Sequence, residues 1–333
     1  MLRVLVLLLA LVAVAGCGGN GDSGDPVTQV PEEGGLQSRV REAAQPRAAD
    51  FPTSEGKTLQ QLAEEVKGGG SVEAGLATSV FTVGDNRLAF GVIDDQGQFV
   101  YGRTAVYVAQ SPTDPAKGPF VAPADVLVTE GRYRSRQAAT EADPFAAVYA
   151  AQVPFDRKGP WSILTVTLTE GTLVAAPAQV QVTTKKADEI PDVGEAPPKA
   201  ETDTLESASG NVESIDTRVP PSDMHARSFA DVVGTKPVAL LFATPQLCQS
   251  RVCGPVTDVA LQLKARYGDR IEFIHQEVYE DNDPAKGLRA PLKAFNLRTE
   301  PWLFVVGSDG RITARLEGSF GLSAFEQALQ TAL

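Results

Sequence analysis

Cysteine, histidine and methionine are scarce: three cysteines, two histidines and two methionines occur in 333 residues. A zinc site takes four ligands, or three plus water, so with only His225 and His275 in the chain no metal site is expected. Copper fares little better, because soft copper sites draw on Cys, Met and His clusters. Basic residues are also short, with 30 Lys and Arg against 42 Asp and Glu and a net charge of -12. Nucleic-acid affinity rests on Lys and Arg neutralising phosphates, so a nucleic-acid partner is excluded as an expectation. Long apolar runs are missing too. The longest, Val4 to Val14, falls short of the about 20 residues that span a bilayer.

That run has a different use. Arg3 precedes it, "VAGC" closes it and "GGNGDSGD" follows, the layout of a secretory leader. Ala15 and Gly16 just before Cys17 resemble a bacterial lipobox. The resemblance implies lipidation of Cys17 and a protein held by acyl chains on the extracytoplasmic face of the cell membrane. An ordinary signal peptide with an incidental cysteine is the alternative.

With Cys17 given to lipid, Cys248 and Cys253 have only each other in an oxidising compartment. They stand five positions apart in "ATPQLCQSRVCGPV". Residues 1–17 read as signal peptide and lipobox and 18–75 as a flexible tether with a short helix in "TLQQLAEEV". From 76 to 184 come seven short apolar and β-branched runs broken by turns, among them "NRLAFGVI" and "WSILTVTLT", with the period-two alternation of half-buried strands. "FDRKGPWSI" resembles the turn and strand of bacterial immunoglobulin-like modules, with Trp161 as core anchor and without the cysteine pair of antibody domains. Residues 185–221 have linker composition.

Residues 222–333 read as helix, strand, helix, strand, helix, strand, strand, helix. The cysteines sit between the first strand and the next helix. Pro255 suits a first helical turn, so "PQLCQSRV" is expected to be a non-helical loop. Ser323 and Glu326 have the spacing of a capping box on the last helix.

This order, with "LLFAT" before the cysteines, Pro301 in "RTEPWLFVV" and Gly318 after the hairpin, resembles the thioredoxin superfamily. The resemblance implies two domains, an all-β immunoglobulin-like sandwich followed by an α/β thioredoxin-like fold, in a bacterial lipoprotein. It further implies that Pro301 is cis and that it, with Thr299 and Glu300 before it, binds an extended peptide beside the thiols. The family motif is CxxC, whereas here Val256 stands where the second cysteine of "CGPV" would be and another cysteine lies upstream. Cys248 follows the strand at nearly the family's interval and is the expected nucleophile, with Cys253 resolving; the "CGP" string argues for the opposite order.

The function implied is thiol-disulfide exchange on extracytoplasmic protein thiols or disulfides, without a cofactor and with a redox partner that the sequence does not name. One alternative is a peroxiredoxin-like thiol peroxidase, since "CQSRVC" has the CxxxxC spacing of the bacterioferritin-comigratory class. That class needs a threonine three before the first cysteine, and Thr244 is four before. The other is a non-enzymatic binding lipoprotein with a structural disulfide, for which His275 is scaffold and Asp258 and Glu277 are ordinary polar neighbours.

Overall fold

The structure is a computed structural model that describes residues 24–66, 70–139 and 145–333. Cys17, the leader run and the first residues of the expected tether lie outside them. Within 24–66, α1 (Leu36–Ala43) and α2 (Leu59–Glu65) form. Thr58 and Gln61 cap α2 reciprocally, each side chain accepting from the other's amide. Both helices pack: Val40 and Ala43 of α1 are buried, and Leu59 and Leu62 of α2 lie against Tyr107 and Leu164.

The alternating runs then form β1 (Val72–Leu76), β2 (Phe81–Thr82), β3 (Gly84–Asp94), β4 (Arg103–Ala109), β5 (Lys117–Val121), β6 (Ala124–Val126), β7 (Ala147–Phe155), β8 (Gly159–Thr169) and β9 (Thr172–Thr183). They make two sheets, in the orders β1-β3-β7-β6 and β2-β9-β8-β4-β5. The even residues of β3, Leu88, Phe90 and Val92, enter the core as the alternation requires, and Trp161 of β8 packs beside Phe155. The odd face of β3 is covered as well. Ala89 is fully buried there, and Arg87 reaches the Ser319 carbonyl at 2.8 Å.

After α3 (Lys185–Asp188) and α4 (Phe229–Val232), a third sheet holds β10 (Val238–Phe242), β11 (Glu272–Gln276), β12 (Trp302–Val306) and β13 (Ile312–Glu317). Its order is β11-β10-β12-β13, with β10 parallel to β11 and the other pairs antiparallel. The helices α5 (Cys253–Tyr267), α6 (Ala290–Ala294) and α7 (Leu322–Gln330) complete the chain. The "GSDG" turn joins β12 to β13, closed by the Gly307 amide on Arg311 and by Gly310 at φ +77°.

These observations correct the expected fold class. The chain is not an all-β immunoglobulin-like sandwich followed by a separate α/β thioredoxin-like domain. Three sheets and packed helices are present among the described residues, and one apolar core runs from Val27 through Phe90, Tyr149 and Trp161 to Cys253, Val259, Phe325 and Leu329. The physical reason lies in α5. It buries Thr257, Asp258 and Gln262 as well as its apolar stripe, because the first half of the chain covers its outer face. Asp258 accepts from the Ser135 amide at 3.0 Å, and Gln262 accepts from the Glu130 amide at 2.8 Å. Arg218, in the stretch of linker composition, pairs with Asp258 at 2.9 Å, both buried.

A second correction concerns α7. It starts at Leu322, as its apolar pattern leads one to expect, but no capping box forms between Ser323 and Glu326. Asp125 supplies the cap, accepting from the amides of Gly321, Ser323 and Ala324 at 2.7, 2.9 and 3.3 Å. Glu326 turns instead to Arg266 and to the Tyr267 hydroxyl, each at 2.6 Å.

Candidate active site: the cysteine cleft

The buried strand β10 ends at Phe242, and the chain from Thr244 turns rather than continuing as helix. The amides of Leu247 and Cys248 both bond to the Thr244 carbonyl, and that of Arg251 bonds to the Cys248 carbonyl. Arg251 sits at φ +60° and α5 starts at Cys253, which places Pro255 in the first turn, where its missing N–H costs nothing. Cys248 therefore stands in the loop and Cys253 at the helix start. Both are free thiols; Cys248 is 7% exposed and Cys253 is wholly enclosed.

The two thiols are unequal. The Cys253 thiol donates to Cys248 and does most to bring the Cys248 pKa down to about 6; burial opposes this, and the Ser250 hydroxyl with the amides of Cys253 and Val252 adds to it. Ser250 Oγ is 3.2 Å from Cys248 Sγ. The free amides at the start of α5 thus serve the loop cysteine. Cys253 is pushed well up, by burial first and then by its bond to Cys248 and that thiol's charge; the Thr244 amide pulls the other way.

The cleft at Cys248 encloses about 680 Å³ between the two halves of the chain. One wall is Leu76 of β1 with Ile93, Phe99 and Phe145, and Arg136 lies at its side. The other comprises the cysteine loop, Thr299 and Glu300. The Glu300–Pro301 bond is cis, and Pro301 is buried at the entry to β12. Thr299 Oγ1 accepts from Trp302 Nε1 and donates to Glu317, both at 3.1 Å. Glu317 also takes the amides of Ser79 and Val80 and the Ser79 hydroxyl, which ties the two walls together. The approach is tightest at Gly318, where φ is +72° and an added Cβ would sit 1.5 Å from the Ala77 carbonyl oxygen.

Glu300 lines the cleft half-buried. Burial, then the charges of Cys248 and Glu277, push its carboxyl up to about 7. A carboxyl of that pKa beside two thiols can accept and return a proton near neutrality. Of the expected site residues, the fold gathers Cys248, Thr299 and Glu300 around one cleft, with Cys253 and Pro301 directly behind it; Cys17 is outside the described residues.

A second group was not foreseen. Asp216, His225 and His275 are all buried, with one potential ligand atom from each lying within 4.8 Å of the others. His225 Nε2 is 3.1 Å and His275 Nδ1 3.5 Å from Asp216 Oδ2. Burial is the largest single influence on His275 and would lower its pKa, but Asp216, the Glu277 charge and the Ala243 carbonyl together outweigh it and the pKa is raised. No spacing signal marks this group in the sequence, because its members come from two distant segments.

Among the described residues no helix is long and apolar enough to cross a membrane. Compared with known protein-family models and with curated proteins, the chain matches none.

Proposed function

We propose that the chain is a thiol-disulfide oxidoreductase that acts on extracytoplasmic protein thiols or disulfides through Cys248 and Cys253, anchored to the membrane through Cys17. The observation that carries the reading is the inequality of the two thiols: one of low pKa at the edge of a cleft, the other enclosed behind it and bonded to it. A purely structural pair has no need of that difference.

In the reducing direction the Cys248 thiolate attacks one sulfur of a substrate disulfide. The substrate S–S bond breaks, a Cys248–substrate disulfide forms, and the other substrate sulfur leaves as thiolate. Cys253 then loses its proton, with Glu300 as the nearby acceptor, and attacks Cys248. The mixed disulfide breaks and the second substrate thiolate departs. The substrate gains two electrons, the cysteine pair is oxidised, and an extracytoplasmic dithiol must restore it. The oxidising direction is the reverse, with a disulfide partner. Leu76, Ile93, Phe99 and Phe145 favour an extended segment with apolar residues beside its cysteine.

Trapping tests the reading. Cys253→Ser should accumulate mixed disulfides with extracytoplasmic proteins, Cys248→Ser should accumulate none, and Cys17→Ser should release the protein from membranes. Rapid Cys248-dependent peroxide consumption without trapping would favour a peroxidase instead.

A further inference from the structure

The group of Asp216, His225 and His275 lies outside the mechanism above, and its hydrogen bonding is not closed by protein groups. His275 Nε2 is 3.0 Å from the Ala243 carbonyl, which only accepts, so Nε2 carries the hydrogen. In the neutral imidazole Nδ1 is then a bare lone pair, and it faces Asp216 Oδ2 at 3.5 Å without hydrogen-bond alignment. Two lone pairs so placed in a wholly buried position repel unless a positive charge lies between them. Ser222 Oγ, His225 Nδ1 and His275 Nδ1 are all buried with no hydrogen-bond partner among the described residues. A buried polar atom left so costs about 1–3 kcal/mol.

We propose that Asp216 Oδ2, His225 Nε2 and His275 Nδ1 bind one zinc ion, with the Ser222 hydroxyl or a water in the fourth place. Zinc bonds of about 2.0–2.1 Å in a tetrahedron put neighbouring ligand atoms about 3.3 Å apart, and the separations of His225 Nε2 and His275 Nδ1 from Asp216 Oδ2, 3.1 and 3.5 Å, bracket that value. The outer contacts also fit. A ligating histidine commonly gives its other N–H to a carbonyl, as His275 does to Ala243, and ligating carboxylates are themselves hydrogen-bonded. Asp216 accepts from the Arg218 amide on Oδ1 and from the Ser222 amide on Oδ2. Such a site braces the base of the cysteine loop. Ala243 precedes that loop directly, and Thr217, next to Asp216, accepts from the Gln246 amide within it.

The alternative occupant is a proton on His275, and the two are separable. The full chain, carrying Cys17→Ser, Cys248→Ser and Cys253→Ser so that no thiol contributes, is stripped with chelator and titrated with zinc by calorimetry. One zinc per chain is expected, with a raised melting temperature and at least about tenfold weaker binding on Asp216→Asn or His225→Gln. Cobalt(II) added to the same thiol-free chain, with all three ligands intact, should give the intense visible bands of a four-coordinate site, which keeps the test open if a ligand variant fails to fold. Substoichiometric zinc uptake, uptake indifferent to both ligand variants in folded protein, or the weak spectrum of six-coordinate aqueous cobalt would overturn the proposal. Because the thiols are absent throughout, the result is independent of the redox reading.

Discussion

The amide of Ser323 donates to Asp125 Oδ1 at 2.9 Å across 198 positions of sequence. That bond and its neighbours at Gly321 and Ala324 make a β-strand residue of the first half the N-terminal cap of the last helix. Asp125 also faces the charge of Arg87. Asp125→Ala should therefore cost about 2–3 kcal/mol, from the lost cap together with a guanidinium left short of its counter-charge. Urea denaturation checks this; a loss under about 1 kcal/mol would mean that the seam bears little of the stability.

The shared core leads to a prediction about fragments. Residues 222–333 expressed alone should not unfold cooperatively, since α5 would expose Asp258 and Gln262 without their partners and the core would lose the side chains of β3, β7 and β8. Circular dichroism during heating is the measurement. A sharp transition would restore an independent C-terminal unit.

Reactivity of Cys248 should follow its thiolate. The rate of alkylation by iodoacetamide is expected to reach half its maximum near pH 6, and Cys253→Ser should move that midpoint upward more than Ser250→Ala, because the Cys253 thiol is the larger stabiliser. A midpoint between 8 and 9 in the unmodified chain would contradict the hydrogen bonding described here.

Glu300 sets a pH dependence of stability. Its folded pKa, about 7, lies above its ordinary value of 4.5. Folding therefore favours the protonated form; the stability this gives is complete below pH 4.5 and is lost as the pH rises through 7. Glu300→Gln keeps a neutral group at all pH values. The variant should match the parent near pH 4.5 and exceed it at pH 8 by about 1 kcal/mol, a figure reduced for the partial exposure of the side chain. Equal stability of the two proteins at pH 8 would show that the carboxyl ionises without penalty.

The sequence by itself determined what depends on neighbours along the chain. Proline at 255 places the helix start at Cys253 and leaves Cys248 in a turn, because a pyrrolidine nitrogen has no hydrogen to give inside a helix. Alternation put Leu88, Phe90 and Val92 on one face of β3, since successive side chains on a strand point to opposite sides. Tertiary structure decided the rest. Whether the second face of β3 or the outer face of α5 meets water depends on what is laid against it, and periodicity carries no information about that cover. The capping box at Ser323 and Glu326 had the right spacing and lost to Asp125, whose carboxylate already stood at the helix end. Asp216 and His275 are 59 positions apart in sequence and 3.5 Å apart in space. The unequal pKa values of Cys248 and Cys253 have the same origin: a thiol's pKa is set by burial and by the donors aimed at it, and those are fixed only when distant segments close around it.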